Sequence, residues 1–94
     1  MSADFESIHN HHERIIFEAV SSGAARYPQI PRELLADVAC VALNRLPPRY
    51  VRHDVDLVFY LTEGERANNE VAIAEAVTYA FEFVQARSAM RARS

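Results

Sequence analysis

The chain has 94 residues, 50% of them apolar and 24% charged, and a net charge of −3 at neutral pH. A chain of this length forms one domain and on folding buries only about 60 to 65 per cent of the surface its unfolded state exposes, so one copy has little core to spare. The composition excludes a disordered segment, and the acidic balance excludes a general nucleic-acid binder, whose attraction to phosphate needs an excess of basic residues.

No apolar run approaches the roughly 18 to 20 residues that span a bilayer. The start, Met1-Ser2-Ala3-Asp4-Phe5-Glu6, has neither the basic opening nor the apolar stretch of a secretion signal. The expected location is the cytoplasm. The lone Cys40 sits in Val38-Ala39-Cys40-Val41-Ala42, where a thiol is expected to act as a small buried hydrophobe, and no His or acid stands at a spacing that would activate it.

Phe5, Ile8, Ile15, Ile16, Ala19 and Val20 recur at helical spacing, which predicts a first helix from about residue 4 or 7 to about 25. His9, His11 and His12 fall in it, and with His53 they read as solvated imidazoles rather than metal ligands, because carboxylate support is scant. Tyr27-Pro28-Gln29-Ile30-Pro31 forces an extended connection, since a residue before proline avoids the helical region. Pro31 suits the first position of a second helix, predicted over residues 31–45. That helix is apolar over most of its circumference, so it should be buried on several sides. Its polar stripe includes Asp37 and Asn44, which are expected to be hydrogen-bonded structural groups that cap the segment that follows.

Leu46-Pro47-Pro48 ends the helix and starts a stiff, extended arm over residues 47–52. The β-branched and aromatic run at 55–61 predicts a short strand. Thr62-Glu63-Gly64-Glu65 fits a capping box, and a long final helix is predicted from there to about residue 88. Its buried face reads Ile73, Val77, Ala80, Phe81, Val84, and its wet face Glu75, Thr78, Glu82, Gln85. Residues 1–6 and 89–94 are expected to fray. The fold class is mainly α, one domain over residues 1–94 with three main helices and one short strand after the Pro-Pro arm. Two of its helices are apolar on more sides than one copy can cover, which predicts a homodimer.

Every basic residue is arginine, and between Asp37 and Asp54 stand Arg45, Arg49 and Arg52 with no acid, a local positive patch on an acidic chain. For any single arginine, a solvated turn reads as well as a ligand contact. The stretch Asp37-Val38-Ala39-Cys40-Val41-Ala42-Leu43-Asn44-Arg45-Leu46-Pro47-Pro48-Arg49-Tyr50-Val51 resembles the signature of the late competence protein ComFB family. In that signature an aspartate opens an apolar helix that closes with Leu-Asn, a basic residue, a short Pro-containing linker and Tyr-Val. Asp37, Leu43, Asn44, Arg45, Pro48, Tyr50 and Val51 fall on the pattern, and the resemblance covers about residues 12–85. Many relatives hold a structural zinc on a Cys-x-Cys-x-x-Cys cluster. Those positions here are Gln29, Pro31 and Leu34, so zinc of that kind is not expected.

The resemblance implies a second-messenger receptor, a dimer that binds a cyclic dinucleotide, chiefly cyclic di-GMP with cyclic di-AMP as the alternative, and signals to a downstream protein partner. Guanidinium forks pair with phosphate or with guanine O6 and N7, and flat rings stack on purines. Arg45, Arg49, Arg52 and Tyr50 bring that set within eight residues, with Asn44 beside them. An enzyme is not expected. Gly23 and Gly64 are the only glycines, so no phosphate loop exists, and no paired acids or nucleophile triad stand at suggestive spacing. No cofactor or membrane insertion is expected either. The competing reading is an adaptor that binds only protein.

Overall fold

A computed structural model describes residues 3–53, 55 and 61–93. Three helices make up most of it: α1 (His12–Gly23), α2 (Leu35–Asn44) and α3 (Glu63–Arg93). Two short strands, β1 (His9–Asn10) and β2 (Tyr50–Val51), pair antiparallel with His9 opposite Val51 and Asn10 opposite Tyr50. Single 3-10 turns at Phe5–Ser7, Ala24–Arg26 and Arg32–Leu34 lead into β1, out of α1 and into α2. The mainly helical class therefore holds, with a two-stranded sheet added.

The core forms where α2 lies on α3 and α1 closes over both. Ile16 and Val20 come from α1, Val38, Ala39 and Ala42 from α2, and Ala76, Ala80, Phe81 and Val84 from α3. Small residues at Ala39, Ala42, Ala76 and Ala80 let the α2 and α3 backbones approach, and Phe81 fills the space beyond them. Its ring stacks on Tyr27 at 4.4 Å with the planes 3° apart, which pulls the chain after α1 onto α3. Burial of Phe81 is worth about 1.5 to 3 kcal/mol, and the ring pair adds roughly 0.5 to 1.5. A hydrogen bond from Gln85 Nε2 to Gln29 Oε1 at 3.3 Å closes the same junction from outside.

Several expectations are corrected. The first helix starts at His12, not at residue 4 or 7: Phe5 and Ile8 are exposed, so their helical spacing buries nothing and the segment folds as a turn and a strand. Pro31 caps a 3-10 turn in extended conformation instead of opening the helix. α2 packs against both α1 and α3 and so is covered on several sides as expected, but Cys40 falls with Ala36, Asp37 and Asn44 on its one exposed strip and is not buried. The final helix passes residue 88 and runs to Arg93, carried by Ala89, Met90, Arg91 and Ala92, all good helix formers, with cations at the negative end of the dipole. Of the strand expected at 55–61, residues 56–60 lie outside the described residues. Thr62 Oγ1 accepts from the Glu65 amide at 3.1 Å as the capping box requires, whereas the Glu65 carboxylate turns away to Arg49.

Gly23 ends α1 against Phe81. A Cβ there would stand 2.9 Å from Phe81 Cε2, and Phe81 is 1% exposed and stacked, so it has no room to yield. Helix propensity alone favours Ala by about 1 kcal/mol, but overpacking costs about 1 to 3. Gly23→Ala is therefore expected to lower stability by about 1 kcal/mol in urea unfolding, and a stabilised variant would contradict this packing.

Candidate functional site

The arm that leaves α2 lies along the entry to α1. Pro47 and Pro48 have no N–H to donate, so the first arm amide available as a donor is that of Arg49. It donates to Asn10 Oδ1 at 3.2 Å, while the Arg49 carbonyl accepts from the His11 amide at 2.7 Å. Asn10 Oδ1 also accepts from the His12 amide at 3.2 Å. One side-chain oxygen, from the residue before the N-cap His11, thus satisfies the first amide of α1 and anchors the arm. β1 then pairs with β2, which buries Val51 and leaves Tyr50 66% exposed. Arg52, the next residue after the strand, is exposed like Tyr50.

The predicted arginines divide between different supports. Arg49 reaches Glu65 at the start of α3, with Nη2 to Oε2 at 3.7 Å. Arg52 donates from Nε to Ser7 Oγ at 3.1 Å and lies 4.0 Å from Asp4. Arg45, at the C-cap of α2, lays its guanidinium 4.0 Å over the Tyr79 ring. Glu65 and Tyr79 are about 21 Å apart along α3 at 1.5 Å per residue, so Arg45 belongs to a separate stretch of surface. The structure thus keeps Arg49, Tyr50 and Arg52 on one arm and sets Arg45 apart with Tyr79. All three arginines are exposed, and the pairs of Arg49 and Arg52 with carboxylates lie at the surface, where each contributes about 0 to 1 kcal/mol. Such contacts give way readily to a stronger anion.

Asp37 and Asn44 do not cap the arm. Asn44 is exposed, and its Nδ2 lies 3.7 Å from Cys40 Sγ one turn back. Asp37 is exposed in the first turn of α2, where a carboxylate gains about 0.3 to 1 kcal/mol from the helix dipole. It lines a cavity of about 370 Å³ between α2 and α3, with Phe83, Arg87 and Arg91 among the other walls. The work assigned to this pair falls to Asn10. The signal that could have found Asn10 is its place two residues ahead of the true helix start, where an asparagine side chain accepts from the backbone two residues on.

His12 is corrected as well: it is 5% exposed, not solvated, and its Nδ1 has no hydrogen-bond partner among the described residues. Burial pushes its pKa below the ordinary imidazole value of 6.5, and the charge of His11 beside it acts the same way. A hydrogen bond to the Pro47 backbone opposes the shift, and Arg49 adds to it. A neutral His12 under the arm is thereby favoured. Among the described residues, no group of three or more His, Cys, Asp or Glu is placed to hold a metal, and no helix is long and apolar enough to cross a membrane.

The fold and the arm define a small three-helix domain that displays an arginine-bearing, proline-stiffened segment beside the start of its first helix. A family model, late competence development protein ComFB, matches residues 9–88, and the chain belongs to that family. No match was found among curated proteins or among solved structures.

The lowered pKa of His12 has a consequence for stability. The unfolded chain, with an imidazole near 6.5, takes up the proton more readily than the folded one, so the contribution of His12 is present above about 6.5 and is lost as pH falls below it. Melting temperature is expected to drop between about pH 7.5 and pH 5.5, and to drop less in His12→Gln, which does not titrate. An equal drop in both proteins would remove His12 from the account.

Proposed function

We propose that the protein is a cytoplasmic receptor for a cyclic dinucleotide, chiefly cyclic di-GMP with cyclic di-AMP as the alternative, that works as a homodimer and signals through protein contacts. It is read as a binding module, with no catalytic step and no cofactor. The observation that carries this reading is the arm, which presents Arg49, Tyr50 and Arg52 exposed on a backbone pinned at both ends. Two guanidiniums can each take a phosphate or a guanine edge, and Tyr50 offers a flat ring for a base. Glu65 and Asp4 hold the two arginines until a phosphate displaces them. Each arm presents one exposed ring, whereas the ligand has two purines related by a two-fold axis. Two arms of a symmetric dimer therefore match one ligand.

A second reading, an adaptor that binds only protein, is favoured by an apolar groove of about 370 Å³ between α1 and α2, lined by Phe17, Leu35, Ala36, Ala39 and Leu43 among others. Phe17 is 51% exposed there. In the receptor reading the same groove is what a second copy covers.

Isothermal titration with cyclic di-GMP, cyclic di-AMP and GTP separates the two. The receptor reading expects heat with a cyclic dinucleotide at one ligand per two chains. Arg49→Ala should then weaken binding about ten- to hundredfold, the equivalent of roughly 1.5 to 3 kcal/mol for a charge-assisted contact, with little change in melting temperature. Absence of heat with all three ligands leaves the adaptor. A clean monomer in sedimentation at micromolar concentration would contradict the homodimer.

A further inference from the structure

Asn10 is the residue on which two separate parts of the chain meet. Its Oδ1 takes the Arg49 amide from the arm and the His12 amide from α1, both at 3.2 Å, and a carbonyl oxygen with two lone pairs can serve both donors. The His12 amide is one of the first-turn donors that a helix cannot satisfy internally. The Arg49 amide is the first arm donor after two prolines. Neither has another acceptor within its own element. Around this oxygen the remaining contacts run the same way, with the His11 amide on the Arg49 carbonyl and the His12 ring on the Pro47 backbone. The arm is thus fastened to the first turn of α1, while the side chain of Arg49 reaches Glu65 at the start of α3. One helical turn further on, α1 presents Phe17 to the apolar groove it shares with α2.

We propose that Asn10 is a relay: a positioning residue that couples the place of the arm to the order of the first turn of α1, so that a ligand held by the arm is felt on the α1 face of the groove. A phosphate that draws Arg49 away from Glu65 moves its backbone amide, and that amide shares its acceptor with the His12 amide at the start of α1. The ligand half of this statement rests on the receptor reading; the coupling of the two amides does not.

The test is amide hydrogen exchange by NMR on the full chain, comparing wild type with Asn10→Ala and Asn10→Asp. Aspartate keeps the shared oxygen and should behave as wild type, which guards against a variant that merely folds poorly. In Asn10→Ala the amides of Arg49 and His12 should both exchange about tenfold faster, the cost of one ordinary hydrogen bond each, with the core of α2 and α3 unchanged. If only one of the two accelerates, or neither, the relay is refuted whether or not any ligand binds. With cyclic di-GMP added, wild type should slow exchange in the arm and at Ile15 and Ile16 of α1, and Asn10→Ala only in the arm. A ligand effect on α1 that survives in Asn10→Ala overturns the relay. If wild type binds no cyclic dinucleotide, the receptor reading fails by itself, and the ligand-free pair of amides still decides the coupling.

Discussion

Two consecutive prolines at the end of α2 impose the constraint from which the rest of the site follows. α2 ends at Asn44 with Arg45 as its C-cap, Pro47 keeps Leu46 out of helical conformation, and neither Pro47 nor Pro48 can donate a hydrogen bond, so the chain leaves the core as a stiff segment that starts without donors of its own. Something else must set its direction. The Arg49 amide on Asn10 and the Arg49 carbonyl on the His11 amide do so, and β1 with β2 extends the attachment by two residues. Val51 then turns into the interior while Tyr50 and Arg52 turn out. Display of the arm is thus a product of backbone chemistry, and the arginine side chains are left over for other use.

The distribution of stability agrees with that division. The strongly buried groups, Ile16, Val38, Ala42, Ala80 and Phe81, lie at the crossing of the three helices. The arm contributes only Val51 to the interior, and its charged contacts are surface pairs of small individual worth. A segment of this kind can exchange one anion for another without cost to the core. His12 is the point where the two regions touch, a buried imidazole beneath the arm that burial keeps disposed to neutrality.

Much of this was legible from the residues. The long final helix, its buried Ala80, Phe81 and Val84, the Thr62 cap and the proline arm all follow from periodicity and from local backbone rules, which the tertiary fold leaves intact. The first segment was not legible. Phe5 and Ile8 stand at helical spacing from Ile15 and Ile16, yet they lie before the helix start at His12 and remain exposed, so the period continued past the point where the helix ends. Asp37 and Asn44 misled for the opposite reason: a helix apolar on most sides suggested burial all round, yet both fall on the one strip that neither α1 nor α3 covers. The ties of Arg49 to Asn10 and of Arg52 to Ser7 span 39 and 45 residues, and the stack of Arg45 on Tyr79 is likewise long-range, so no local pattern announces them.

The proposed receptor function requires that the arm be the place where a ligand is held. The most direct measurement follows the side-chain Nε–H signals of the arginines by NMR during titration with cyclic di-GMP. The signals of Arg49 and Arg52 are expected to shift together and to saturate at one ligand per two chains, while Arg26 and Arg32 stay in place. Shifts confined to Arg87 and Arg91, with Arg49 and Arg52 unmoved, would place the ligand in the cavity beside Asp37 and contradict the arm.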